Sequence, residues 1–61
     1  MQIDIIFGEE GETLYYDSNN SHADPYSFIL TDRTGETHHF CEEELENLSK
    51  AITKVLEIYN A

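Results

Sequence analysis

Residues 42–59 read EEELENLSKAITKVLEIY, and their spacing decides the fold. The large apolar residues fall at Leu45, Leu48, Ile52, Val55, Leu56 and Tyr59. Steps of this kind gather them on one stripe of an α-helix. Ala51 widens the stripe and Ile58 sits at its margin. Glu42, Glu43 and Glu44 occupy the first turn, where carboxylates suit the unpaired amides and the positive end of the helix dipole. With Cys41 as the N-cap, Phe40 and Leu45 take the two positions of a hydrophobic staple. Glu44 is then the N3 residue that reaches back to the cap amide. Glu46 and Lys50 have the spacing of a favourable i,i+4 pair. Asn60 is the expected stop.

Such a helix needs an apolar surface to lie on, and the preceding residues supply strands. Gln2 to Phe7 is rich in β-branched and aromatic residues. Its alternation sets Ile3, Ile5 and Phe7 on one face, with Asp4 and Ile6 on the other. Gly8-Glu9-Glu10-Gly11 reads as a turn. A second strand is predicted over about 12–17, with Leu14 and Tyr16 opposite Thr13 and Tyr15. The polar stretch 17–25 is a loop, and Pro25 biases Asp24 away from helical geometry. A third strand over about 26–31 turns Tyr26, Phe28 and Leu30 to one face. Asp32-Arg33-Thr34-Gly35 then signals a hairpin: Arg33 and Thr34 form the centre of a type I turn, and Gly35 takes the left-handed bulge position. The return strand covers about 36–40 and puts His38 and Phe40 inward, His39 outward.

The expected fold is therefore α+β: one domain over 1–61, with a small antiparallel sheet of three to four strands in the order β-β-β-β-α. One C-terminal amphipathic helix over about 42–59 packs on one face. The expected core is Ile3, Ile5, Phe7, Leu14, Tyr16, Phe28, Leu30, Phe40, Leu45, Leu48, Ile52, Val55, Leu56 and Tyr59. One sheet face is left without a cover, carrying Ile6, Tyr15, Ile29 and His39. These four are a candidate apolar interaction face for an adaptor-like module or a homodimer.

Thirteen acids face three bases, a formal net charge of -10. Nucleic-acid binders need the opposite sign, so direct binding to nucleic acid or to an anionic membrane is disfavoured. A basic protein partner is favoured, because complementary fields speed encounter. The acids gather in two stretches. Glu9, Glu10, Glu12, Asp17, Glu42, Glu43 and Glu46 are the candidate interaction surface. Spaced carboxylates can imitate the phosphates of nucleic acid and compete for a basic groove. Small acidic inhibitors of nucleic-acid enzymes, phage-encoded ones among them, share this general character.

Enzyme chemistry finds little support. Cys41 is the single cysteine, which excludes an internal disulfide and suggests a reducing, cytoplasmic setting. Its N-cap position favours a thiolate, but three adjacent glutamates oppose one. His38 and His39 are near in sequence without sharing a direction. A metal site from His38, His39 and Cys41, aided by His22 and Asp24, matches no known zinc spacing. Neither glycine-rich phosphate loops nor calcium loops occur. No catalytic residue and no cofactor is expected. Met1 to Phe7 is too short for a signal h-region and carries Asp4, and no run is long enough to span a bilayer.

Overall fold

A computed structural model describes residues 1–19 and 25–61. Four strands, β1 (Gln2–Ile6), β2 (Thr13–Asp17), β3 (Phe28–Thr31) and β4 (Thr37–Phe40), precede one helix, α1 (Glu42–Tyr59). The sheet is a meander in the order β1-β2-β3-β4, antiparallel throughout. This is the α+β arrangement that the periodicities predict. Strand ends differ from the expected ones by up to two residues. The predicted loop lies partly in residues 20–24, including His22 and Asp24, which fall outside the described residues. No helix of the described residues is long and apolar enough to cross a membrane.

The register sorts side chains onto the two faces by simple alternation. One cross-strand row runs Ile3, Tyr16, Phe28, Phe40, and the next runs Ile5, Leu14, Leu30, His38. These rows form the helix side. Within the first, the Tyr16 and Phe28 rings stack with centroids 4.6 Å apart. Such a cross-strand pair adds about 0.5–1.5 kcal/mol beyond its area burial. The opposite face carries Asp4, Tyr15, Ile29, His39 in one row and Ile6, Thr13, Thr31, Thr37 in the next.

Both sharp turns follow from their glycines. Gly35 has φ of 88°, its N–H bonds to the Asp32 carbonyl at 3.0 Å, and the Asp32 N–H bonds to the Glu36 carbonyl at 2.9 Å. That is the predicted type I turn with a left-handed bulge residue. Gly11, at φ of 89°, serves the β1–β2 turn, which the Phe7 N–H closes on the Glu12 carbonyl at 2.9 Å. A side chain at Gly35 meets backbone strain rather than neighbours, since nothing lies within 4 Å of a Cβ built there. Gly35→Ala is therefore expected to cost about 1–2 kcal/mol, read as a lower urea midpoint with an unchanged slope.

The helix ends are also as read. Glu44 Oε1 accepts the Cys41 N–H at 3.2 Å. At the other end the Asn60 N–H bonds to the Leu56 carbonyl at 2.9 Å. The Glu46–Lys50 pair, however, does not close: among the described residues, no Lys or Arg nitrogen lies within 4.0 Å of a carboxylate. Holding two exposed long side chains together costs rotamer entropy that a solvated ion pair barely offsets.

The expected core needs correction. Among the described residues no hydrophobic side chain is buried. Leu14, Tyr16, Phe28, Leu30, Phe40, Leu45 and Leu48 are half-buried. Ile3, Ile5, Phe7, Ile52, Val55, Leu56 and Tyr59, all expected inside, are exposed. Dimensions explain the difference. An 18-residue helix is about 27 Å long, whereas four strands of this length make a patch only about 15 Å across in either direction. The helix backbone comes close to the sheet chiefly at β4, the strand it follows. Leu45, Leu48 and Ile52 face Ile5, Phe7, Leu14 and Leu30 across an open groove, and further along the helix Val55, Leu56 and Tyr59 are exposed.

Candidate functional site

Three surfaces follow from this framework. The first is acidic. Glu9 and Glu10 are exposed and Glu12 half-buried at the β1–β2 turn, where Glu12 Oε1 accepts the Glu10 N–H at 2.9 Å. Asp17 ends β2 at the other end of the sheet. The helix start, with Glu42, Glu43 and Glu46 all exposed, follows directly from β4 at that same end. The candidate acids are thus divided into two poles, Glu9, Glu10 and Glu12 against Asp17, Glu42, Glu43 and Glu46. The strand length between them is about 17 Å. Beside the second pole lies a shallow depression of about 470 Å³, bounded by Pro25, Ser27, Cys41, Glu42 and Glu43. Ser27, 8% exposed, is the one buried polar residue described.

The second surface is the sheet face away from the helix. Tyr15, Ile29 and His39 do line up across three strands, as alternation predicts, and Ile6 falls in the neighbouring row among three threonines. The Tyr15 hydroxyl donates to Asp17 Oδ2 at 3.3 Å and accepts from Gln2 Nε2 at 3.4 Å. Partial desolvation and then the Asp17 charge push this phenol above its ordinary pKa. Threonines and Asp4 make the face more polar than a patch of four apolar residues would be.

The third surface was not anticipated. Between sheet and helix runs an open apolar groove of about 440 Å³. Ile5, Phe7, Leu14 and Leu30 form its floor, and Leu45, Leu48 and Ile52 form its wall. The residues were legible as a core; that they stay uncovered was not.

One further constellation sits on the hairpin. Asp32 Oδ1 accepts the Thr34 N–H at 2.9 Å, the Thr34 hydroxyl at 2.6 Å and the Glu36 N–H at 3.1 Å. Its Oδ2 lies 3.0 Å from His38 Nε2. The His38 contact, followed by the Thr34 hydroxyl, holds the Asp32 carboxyl well below the usual carboxylate range. A carboxylate whose folded pKa is depressed contributes stability above its unfolded value, near 4, and that contribution is lost as pH falls through the folded value. The melting temperature of the unaltered chain should therefore fall on acidification below about pH 4. In Asp32→Asn, which keeps an acceptor oxygen but cannot titrate, the fall should be shallower in parallel thermal scans.

Glu36 joins Asp32 and His38 with ligand-type atoms within 4.8 Å of one another, the one converging set among the described residues. Within it, Asp32 Oδ1 is engaged by the Thr34 and Glu36 amides of the turn and Oδ2 by His38. The sequence-predicted set behaves differently. His38 turns to Asp32 and His39 lies on the opposite face. Cys41 is a half-buried free thiol with no described hydrogen bond from Sγ to either histidine.

No family model, characterised protein or solved structure matches this chain.

Proposed function

We propose that this protein is an interaction domain whose acidic poles engage a basic surface of another protein, in the manner of a nucleic-acid mimic. Occupying a nucleic-acid-binding groove would make it an inhibitor of its partner. One observation carries the reading. The formal charge of -10 is not neutralised within the chain, because among the described residues the one ion pair is His38 with Asp32. The carboxylates of Glu9, Glu10, Glu42, Glu43 and Glu46 therefore project an unopposed field into solvent. Their placement suits the role: carboxylates held at two opposite ends of the sheet present separated negative charge, as the phosphates along a duplex do. The depression beside Glu42 and Glu43 offers room for a Lys or Arg side chain. The test is capture of binding proteins on the immobilised chain at low and high salt, with duplex DNA as competitor. Basic proteins released by salt and displaced by duplex support the reading. Capture that is indifferent to both salt and duplex would overturn it.

A further inference from the structure

We propose that the groove between the sheet and α1 is filled by a second copy of this chain, each copy inserting the exposed C-terminal end of its helix into the groove of the other. The proposal is independent of the acidic reading, since it uses the opposite kind of surface.

The area argues first. The chain exposes 4985 Å², whereas a compact monomer of 7.1 kDa exposes about 4,100 Å². The excess, about 900 Å², is close to the ~800 Å² per partner that a stable interface buries. The shape agrees: the radius of gyration is 12.9 Å, against about 10.5 Å for a compact domain of this length.

Self-complementarity argues second. One chain carries both the groove, floored by Ile5, Phe7 and Leu14, and a ridge that matches it, Val55, Leu56 and Tyr59. Val55 is 63% exposed and Tyr59 81% exposed although both belong to the helix stripe facing the sheet side. A two-fold axis satisfies ridge and groove in both copies at once, which is how an isologous dimer closes. Neither the groove lining nor the ridge carries a charge, so no carboxylate need be buried. Lys50, Lys54 and Glu57 fall on the other side of the helix by spacing. The acidic poles stay outside, and the like charge of the copies acts only at longer range.

That last point gives the proposal a signature of its own. Added salt screens repulsion between two acidic copies and tightens the dimer, whereas salt weakens a complex with a basic protein. Sedimentation equilibrium of the 61-residue chain, from about 1 to about 500 µM at low and high salt, should show a species of twice the 7.1 kDa chain mass. Dissociation should be weaker at high salt, and the melting temperature should climb with protein concentration. Val55→Asp should raise the dissociation constant by on the order of 100-fold. Should that variant unfold, mixed labelled and unlabelled wild-type chains decide the matter: intermolecular NOEs from Val55 and Leu56 methyls to the Phe7 and Leu14 side chains are expected. A single 7.1 kDa species throughout, with a concentration-independent melting temperature, would overturn the proposal. So would a dimer whose intermolecular NOEs arise from Tyr15 and Ile29 instead.

Discussion

Leu45→Ala is expected to remove about 1–2 kcal/mol of stability, a large share of what a 61-residue domain has. Full burial of a leucine would make the loss larger, but Leu45 is half-buried, so only part of its side chain leaves water on folding. It is nonetheless the first apolar residue of α1, follows Phe40 in the staple, and forms part of the groove wall opposite Leu14 and Leu30. Leu48→Ala should behave similarly. The informative contrast is Val55→Ala. In a lone chain, Val55 is exposed and its truncation costs little. With a second copy in the groove, the same truncation lowers the urea midpoint, and more so at high protein concentration. A urea series on the three variants at two concentrations reads the gradient along the helix directly.

Charge removal at the helix start should have the other large effect. Replacing Glu42, Glu43 and Glu46 together with lysine is expected to weaken binding to a basic partner by on the order of 100-fold and to flatten its salt dependence. Part of any loss could come from the helix, because each reversed charge in the first turn forfeits about 0.3–1 kcal/mol of dipole interaction. Replacement of the same three by glutamine separates the effects, since it removes charge without placing a cation at the N-terminus. Glu44 is left untouched because it accepts the cap amide. If both poles contact the partner, reversal of Glu9, Glu10 and Glu12 should weaken binding as well. Titration by isothermal calorimetry at two salt concentrations would show both the loss and its salt slope.

The elements were legible because each obeys a short-range rule. Alternation from Ile3 to Phe7 and from Phe28 to Phe40 assigns every strand residue to its observed face. Gly35 announces its own backbone conformation, and Cys41 with Glu44 announces the helix start. Coverage was not legible, because periodicity says which side of an element is apolar and nothing about how much lies against it. The stripe from Leu45 to Tyr59 is continuous, yet only Leu45 and Leu48 are half-buried, since the helix outruns the sheet. The Asp32–His38 contact was missed for a different reason. Its signal was present: Asp32 continues the alternation of Phe28 and Leu30, so it projects to the side that carries His38. The alternation runs on past the strand end into the turn, where the Asp32–Gly35 hairpin brings it opposite β4. The split of the acids into two poles needed the strand order, which a sequence of this length leaves open.

The nearest-neighbour order of the sheet has a kinetic consequence. Every strand pairs with the one beside it in the chain, and α1 meets the strand it directly follows. No distant segments must find each other before the first contacts form, so little loop-closure entropy is lost on the way to the transition state. The Asp32–Gly35 turn, with its preset bulge and its carboxylate-bonded amides, is the natural place for the first hairpin to close, a microsecond event in itself. A refolding phase whose rate rises with concentration would then belong to the encounter of two chains.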